Sequence, residues 1–393
     1  MPTILQILPR LNSGGVERGT IEIAKAITSK GYNSIVVSQG GNLVPLLTKS
    51  GSMHIELNAA SKNPFTIYKN ARRLKKIIND YNVDIVHARS RAPAWSAYLA
   101  TRNSNANFIT TFHGVYSGQS YLKKRYNSVM LRGKKIITVS NFISKHIEEN
   151  YNFVNTNQIS CIHRGVDINH FNQKTVRIDK IQEYINRWNI PDDKRIILMP
   201  ARITEWKGHE FLLNGLSKLN RDDYHCLMVG DPGKHKNYRN RVESLITSLG
   251  LQDKVMIMNS ISDIENLYQI SSIVVSASLR PEAFGRNIVE AGAMGKIVIA
   301  TNHGGAMETV IDGKTGFLVK AGDSKALAEK INHVLDLPEK KRSTIEENAK
   351  KHIVNNFSIT RMQQRTIDLY NSLLTSSKTQ DEGNENFRTT NQD

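Results

Sequence analysis

Short apolar runs alternate with amphipathic segments along most of the chain, and this alternation predicts strand–helix units. Such units build a parallel sheet with helices on both faces, so the predicted fold class is α/β. The predicted strands are Ile4–Leu8, Ser34–Ser38, Asp84–His87, Phe108–Thr111, Ile136–Ser140 and Ile159–Ile162 in the first half, and Ile196–Met199, Cys226–Val229, Val255–Met258, Ile273–Ser276 and Ile297–Ala300 in the second.

A polar stretch between residues 169 and 194 interrupts the alternation, which then starts again. This break predicts two Rossmann-like domains, residues 1–175 and 176–357. Residues 358–374 carry apolar side chains at helical spacing after Ser358, a plausible N-cap, and are predicted to form a helix. Residues 375–393 are polar without an apolar face, and we expect a disordered tail there.

The composition is that of a globular protein, with 39% hydrophobic and 23% charged residues among 393. No apolar run reaches the length of a membrane-spanning helix, and the N-terminus lacks the basic leader of a signal peptide. These features predict a cytoplasmic protein. The two cysteines, Cys161 and Cys226, are too few for a disulfide framework or a zinc site, and no metal site is expected.

The net charge of +17 is concentrated in the first half, where residues 1–170 contain 22 Lys and Arg against 8 Asp and Glu. Clusters at residues 72–76 and 123–125 suit an anionic partner such as a membrane surface, a phosphorylated glycolipid or nucleic acid. A solvated basic face explains the same clusters equally well.

The first glycine turn lies between the strand at Ile4–Leu8 and a helix pattern. Gly14 and Gly15 let the backbone approach a ligand, and the helix N-terminus favours a phosphate. Turn geometry alone also accounts for two glycines. The dinucleotide fingerprint G-x-G-x-x-G is absent, which argues against a dehydrogenase that binds NAD.

Two cations follow the first strand of the second half. Arg202 and Lys207 stand at its carboxyl end and beside a helix start, where ligands of parallel sheets bind. Together they can balance a diphosphate, the group that gains charge when a sugar–phosphate bond breaks.

Two carboxylates, Glu282 and Glu290, stand eight residues apart after the strand at Ile273–Ser276. They can reach different parts of one extended ligand. The intervening residues open a helix, and their backbone amides suit phosphate or sugar oxygens. These residues are Ala283, Phe284, Gly285, Arg286 and Asn287.

A further glycine turn at residues 301–308 follows the strand at Ile297–Ala300, and the order of motifs then resembles the retaining glycosyltransferases of family four. Glu282 and Glu290 match the E-x7-E motif of that family, followed by a glycine pair and an Asp-Gly-x-x-Gly-hydrophobic segment. The likeness covers nearly the whole chain. It implies the GT-B architecture, in which two Rossmann-like domains face each other across a cleft.

The resemblance assigns roles to individual residues. Glu282 and the amides after it would hold the donor sugar, Glu290 would bind the ribose hydroxyls, and Ser260 and Ile261 would face the base. Arg202, Lys207, Gly14 and Gly15 would grip the diphosphate, and His113 would face the sugar. The catalytic residues implied are Glu282, His113, Lys207 and Arg202. The chain departs from the family at His163-Arg164 and at residues 230–233, where Gly-Asp-Pro-Gly replaces Gly-x-Gly.

These expectations describe a retaining, metal-independent transferase without a cofactor, with a UDP-sugar favoured as donor. The expected acceptor is a glycan or lipid-linked hydroxyl in bacterial polysaccharide or lipopolysaccharide synthesis. The basic half would contact the inner face of an anionic membrane, and no nucleic acid partner is expected. Two alternatives stay open: a nucleotide-sugar epimerase of the same fold, and a protein that binds nucleic acid.

Overall fold

The computed structural model describes residues 1–12, 14–116, 120–233 and 235–389, with side chains as far as residue 375. It divides into two compact units. The first contains Met1–His163 together with the chain from Thr360 onward, and the second contains Arg164–Ile359.

In the described part of the first unit, seven parallel strands form one sheet in the order β3-β2-β1-β4-β5-β6-β7. The strands are β1 (Thr3–Ile7), β2 (Asn33–Ser38), β3 (Met53–Glu56), β4 (Ile85–Ala88), β5 (Asn107–Phe112), β6 (Lys135–Thr138) and β7 (Ile159–Cys161). The helices are α1 (Gly15–Ser29), α2 (Val44–Lys49), α3 (Pro64–Asp80), α4 (Arg91–Thr101), α5 (Tyr121–Asn127) and α6 (Asn141–Asn150), with 3-10 turns at Ser128–Leu131 and Thr156–Gln158.

The second unit repeats the plan with six parallel strands among its described residues, in the order β10-β9-β8-β11-β12-β13. They are β8 (Arg195–Pro200), β9 (Tyr224–Val229), β10 (Val255–Met258), β11 (Ser271–Ser276), β12 (Val298–Thr301) and β13 (Phe317–Val319). The helices are α7 (Ile178–Trp188), α8 (His209–Leu216), α9 (Lys236–Ser248), α10 (Glu265–Ile270), α11 (Arg286–Ala293), α12 (Ala306–Thr309), α13 (Ser324–Leu335) and α14 (Glu339–Phe357), with 3-10 turns at Gln173–Thr175 and Glu205–Lys207. The chain then continues into α15 (Ile359–Thr389), which belongs to the first unit from Thr360 onward.

Both faces of the second sheet are buried, as the continuous apolar runs predict. Along β8, Ile197 and Met199 pack into one core cluster, whereas Ile196 and Leu198 pack into another. Successive side chains of a strand point to opposite faces, so each cluster lies on its own side of the sheet.

The strand order reverses direction once in each sheet. From β1 the chain adds β2 and β3 on one side and then returns to place β4 on the other side; β8 and β11 have the same relation. At such a switch point the loops after the two neighbouring strands diverge, which leaves a crevice at the carboxyl edge.

The α/β class and both Rossmann-like halves are confirmed, but two strands escaped prediction. β3 is a half-exposed edge strand in which only Met53 and Ile55 are apolar, so its alternation is too short to recognise. β13, at Phe317–Val319, is a three-residue edge strand that follows a glycine turn. Edge strands lack the long apolar runs that buried strands need.

The boundary between the units lies at residue 163/164 rather than at 175/176. Val166 and Phe171 pack in the core of the second unit, and Gln173 donates a 3.1 Å hydrogen bond to the carbonyl of Met294. These few apolar residues stand among polar neighbours, so the sequence pattern places them in the first domain.

The last helix, α15, packs on the first unit. Tyr370 hydroxyl lies 2.8 Å from Nδ1 of His87, and Gln363 donates to the carbonyl of Glu22 at 2.7 Å. Nε2 of His87 in turn contacts the Thr111 hydroxyl at 2.6 Å. This helix therefore closes a buried polar network with strands β4 and β5.

The structure continues α15 to Thr389, so it assigns helix to residues 375–389, where the sequence predicts a disordered tail. Extending a formed helix needs no new nucleus, and the segment contains no proline to stop it. The prediction for residues 390–393 lies outside the described residues. Among the described helices, none is long and apolar enough to cross a bilayer.

We expect Tyr370→Phe to lower the free energy of unfolding by about 2 kcal/mol, because Nδ1 of the buried His87 would lose its hydrogen-bond partner. Tyr121, which is 75% exposed, supplies the matched control, and Tyr121→Phe should cost less than about 0.5 kcal/mol. Urea unfolding of the full chain measures both values. Equal effects of the two substitutions would contradict a structural role for the Tyr370–His87 contact.

Candidate functional site

The switch point of the second sheet brings two loops together. One loop follows β8 and contains residues 201–208, and the other follows β11 and contains residues 277–285. The amide of Leu279 donates to the carbonyl of Trp206 at 2.7 Å, which joins the loops directly. A crevice at this edge is where parallel α/β sheets bind ligands.

An ion pair spans the two loops. Nζ of Lys207 lies 2.7 Å from Oε1 of Glu282, and the two side chains are 12% and 16% exposed. The hydroxyl of Ser278 also donates to Oε1 of Glu282, and the Trp206 ring lies 4.3 Å below the ammonium. One cation and one carboxylate are therefore held in fixed orientation at the carboxyl edge.

Glycines make this close approach of backbones possible. Gly208 has φ 79°, and a Cβ there would meet the carbonyl of Ala277. Gly304 has φ 62°, and a Cβ there would lie 2.5 Å from the carbonyl oxygen of Glu282. The amide of Gly305 donates to that same carbonyl at 2.8 Å. The glycine pair after β12 thus supports the loop that carries Glu282.

The second carboxylate lies on the adjoining helix α11. Oε1 of Glu290 contacts the Arg286 guanidinium at 3.3 Å, and Oε2 accepts a 3.2 Å hydrogen bond from the Tyr268 hydroxyl. Burial raises the pKa of Tyr268 well above its usual value, so the phenol stays protonated and donates. Glu290 is therefore oriented by two partners and remains 14% exposed.

The segment between the carboxylates offers mainly backbone. Phe284 is buried and packs edge-on against Phe357, and the Asn287 amide contacts the Ser276 hydroxyl at 3.3 Å. Gly285, with φ 85°, is the N-cap of α11. The amides around Ala283 and Gly285 precede a helix start, and such groups suit anionic or sugar oxygens.

The remaining predicted residues of the second unit lie on neighbouring loops of the same edge. Arg202 follows β8 with an exposed side chain, and none of the ion pairs found among the described residues includes it. Ser260 and Ile261 follow β10, where Asp231 accepts hydrogen bonds from the amide and hydroxyl of Ser260. The backbone carbonyl of Asp231 also accepts a hydrogen bond from the amide of Ile203. Asp231 therefore joins the loops that follow β8, β9 and β10.

The predicted residues of the first unit lie at the carboxyl edge of its own sheet. After β1, Gly14 is the N-cap of α1 and Gly15 is its first residue. The half-buried His113 directly follows β5. Strand β4 lies between β1 and β5 and is followed directly by the buried Arg89, whose Nη1 donates to Oε1 of Gln6 at 3.2 Å.

Sequence reasoning missed four residues that organise these edges: Ser278, Tyr268, Asp231 and Arg89. Ser278, Asp231 and Arg89 each stand one or two residues beyond a strand, a position that could have drawn attention to them. Tyr268 precedes its partner by 22 residues in another helix, and no local pattern signals that contact. Within the described ranges, no three His, Cys, Asp or Glu side chains group as metal ligands.

Two family models match the chain in succession. Residues 13–170 match Glycosyltransferase Family 4, and residues 180–352 match Glycosyl transferases group 1. A crystal structure of a glycosyltransferase from Rickettsia africae superposes with a TM-score of 0.89 and 49% sequence identity, over 95% of this chain and 98% of that chain.

Two further relatives extend the comparison. The lipopolysaccharide 1,2-N-acetylglucosaminetransferase of Salmonella typhimurium is 28% identical over 68% of this chain and 67% of its own. Anabaena HepE, solved in complex with UDP and glucose, gives a TM-score of 0.81 at 23% identity, over 95% of this chain and 100% of its own, and supports the fold alone.

The two Rossmann-like units, with an acidic and a basic residue paired at a switch point, define a glycosyltransferase of the GT-B fold. The chain belongs to the family 4 type of these enzymes. The predicted membership of family four is thereby confirmed, and so is the predicted activity class, whereas the retaining stereochemistry stays a prediction. The epimerase alternative finds no support among these relatives.

We expect Gly304→Ala to destabilise the fold more than Gly313→Ala. Both glycines have positive φ, so alanine costs about 1 kcal/mol at each. At Gly313 a Cβ meets nothing within 4 Å, whereas at Gly304 it meets the backbone of Glu282 and should cost about 2 kcal/mol more. Chemical denaturation compares the two variants; equal losses would show that the loop has room for a side chain.

Burial lowers the pKa of His209, the first residue of α8, from 6.5 to about 4. The unfolded chain then binds a proton first as the pH falls, so this histidine stabilises the fold above pH 6.5 and loses that contribution between pH 6.5 and 4. We expect His209→Gln to reduce the slope of unfolding free energy against pH by up to about 1.4 kcal/mol per pH unit in this window. An unchanged slope in the variant would refute the assignment.

Proposed function

We propose that the carboxyl edge of the second sheet binds a nucleoside diphosphate sugar and that the enzyme transfers this sugar with retention at the anomeric carbon. The observation that carries the proposal is the Lys207–Glu282 pair at the switch point, 2.7 Å apart and supported by Ser278. A cation and a carboxylate held side by side suit a ligand that joins a diphosphate to a polyhydroxylated ring.

The diphosphate is assigned to Lys207, Arg202 and the amides at the start of α11. The side chain of Arg202 is exposed at the same edge and is available to an anion, and the helix N-terminus adds amide donors. When the sugar–phosphate bond breaks, the diphosphate keeps the electron pair, and these groups stabilise the added charge. The proposal therefore needs no divalent ion.

The carboxylates are assigned to hydroxyl groups. Glu282 accepts from the donor sugar, while Lys207 and Ser278 fix its orientation. Glu290 accepts from the ribose, held in place by Tyr268 and Arg286. Ser260 and Ile261 are assigned to the base. Gly14, Gly15 and His113 keep the diphosphate and sugar roles that the family resemblance implies.

In the proposed reaction the acceptor hydroxyl oxygen attacks the anomeric carbon on the face from which the diphosphate departs. The new glycosidic bond forms as the bond between the anomeric carbon and the diphosphate oxygen breaks. The acceptor proton passes to the leaving phosphate. This phosphate acts as the base because it gains negative charge and departs from the face that the acceptor attacks. Retention follows because entry and departure share one face of the ring.

For the donor we favour a UDP-sugar, and for the acceptor a glycan or lipid-linked hydroxyl of bacterial envelope polysaccharide synthesis. The UDP bound to Anabaena HepE and the activity of the Salmonella relative support this choice. We place the enzyme in the cytoplasm, with a peripheral contact to the inner membrane face. The excess of Lys and Arg in residues 1–170 supports that contact.

We expect Lys207→Ala to lower turnover by a factor of about 100, since losing one donor to a developing charge costs roughly 3 kcal/mol of barrier. Lys218→Gln removes an exposed lysine elsewhere in the same unit and should leave turnover near the wild-type value. Release of nucleoside diphosphate from UDP-, GDP- and ADP-sugars in buffer containing EDTA measures both rates. Near-full turnover of Lys207→Ala would reject the assigned role, and full dependence on added metal would reject the metal-free route.

A further inference from the structure

A groove of about 510 Å³ lies between α3 and α4 on the outer helical layer of the first unit. The two helices pack together, and the hydroxyl of Ser96 donates to the carbonyl of Ile67 at 3.1 Å. Each helix follows a strand and runs from the carboxyl edge of the sheet towards the amino edge. None of the residues that line the groove is among those assigned to the donor, so the groove is a separate site.

The polar lining of the groove is positively charged. Arg72 and Lys75 of α3 and Arg102 after α4 are exposed and line it. None of the ion pairs among the described residues includes any of these three. The sequence of α3 contains a single acidic residue, Asp80 at its end, and that of α4 contains none. Cations without carboxylate partners attract an anion rather than stabilise the fold.

The same surface exposes large apolar side chains. Phe65 is 86% exposed and Tyr68 is 58% exposed at the start of α3, and Leu99 of α4 is 37% exposed at the groove. Phe65, Tyr68, Arg72 and Lys75 follow one another at helical spacing, so they lie on one face. The face thus passes from aromatic to basic residues along the helix, a combination typical of elements that lie on a membrane surface.

We propose that this α3–α4 surface docks the enzyme on a membrane by binding the phosphate of an anionic phospholipid. Arg72, Lys75 and Arg102 surround the phosphate in the groove. Phe65 and Tyr68 enter the interfacial layer, where an aromatic ring is favourable. A nucleic acid would require open aromatic faces for base stacking, whereas the Tyr68 ring has the Arg72 guanidinium 5.1 Å from its centre.

The inference specifies the surface for the membrane contact in the proposed function, and its test does not depend on sugar transfer. Sedimentation with vesicles of phosphatidylcholine, with or without phosphatidylglycerol, measures the partition coefficient of the full chain. The test variant carries Arg72→Gln, Lys75→Gln and Arg102→Gln. Its matched control carries Lys320→Gln, Lys340→Gln and Lys341→Gln, which remove three exposed charges from the second unit.

We expect the wild-type chain to bind only the vesicles that contain phosphatidylglycerol. The groove variant should bind them about 100-fold more weakly, since each cation near the surface contributes about 1 kcal/mol, and the control should keep most of the affinity. Phe65→Ser should weaken binding further without changing the requirement for anionic lipid. Hydrolysis of a nucleotide sugar in solution should be the same in all variants, which separates loss of docking from failure of the donor site.

Three outcomes would overturn the inference. Wild-type protein that stays in solution with both vesicles has no such docking surface. Equal weakening of the groove variant and the control would show that net charge alone brings the protein to the bilayer. Release of vesicle-bound protein by a short RNA, with tighter binding of that RNA through Arg72, Lys75 and Arg102, would assign the surface to nucleic acid.

Discussion

The pairing of Lys207 with Glu282 depends on strands β8 and β11 being neighbours in the sheet, although the two residues are 75 positions apart in the chain. The pair is mostly buried, and removing two charges from water costs about as much as their attraction returns. Such a pair is weak evidence for a contribution to stability. The importance of the pair is geometric, because its two charges are held at one point of the carboxyl edge by Ser278, Trp206 and the backbone of Gly304.

This geometry explains why glycines recur where the loops meet. Gly208 approaches the carbonyl of Ala277, and Gly305 approaches the backbone of Phe284, so neither position has room for a Cβ. Each approach brings a turn after one strand against a turn after its neighbour. The side chains of Lys207 and Glu282 can then be shielded from solvent and still lie close to an incoming ligand. Both conditions favour electrostatic stabilisation of a leaving group.

Much of the fold followed from the sequence because buried parallel strands have a simple signature. Ile196–Met199 and Ile273–Ser276 are short apolar runs bounded by polar turns, and both became central strands. β3 lacks a continuous apolar run because an edge strand is more exposed to solvent than a central strand. The boundary at 163/164 depends on the packing of Val166 and Phe171, and the length of α15 depends on helix continuation; neither is visible in residue composition.

The candidate site divides along a similar line. Arg202, Lys207, Glu282 and Glu290 could be found because each lies in the loop after a strand or on the helix that follows this loop, and each carries a charge that the chemistry requires. The partners that orient them could not, since Tyr268 reaches Glu290 from α10 and Asp231 reaches Ser260 from the loop after β9. Local spacing identifies the candidate ligand-binding groups, whereas tertiary packing selects the groups that hold them in place.

The two charged regions of the chain also solve different physical problems. At the second sheet, the Lys207 cation is already paired and mostly buried, so a ligand must match the position of the cation and its partner to replace or share their contact. On α3 the cations are exposed, and none of the ion pairs among the described residues includes them, so they attract any anionic surface over a distance set by salt. A paired charge suits recognition of one small molecule, and an unpaired cluster beside exposed aromatic rings suits a surface whose phosphates move. The α3–α4 surface therefore accounts for the basic cluster at residues 72–76 without adding cations to the carboxyl edge of the second sheet.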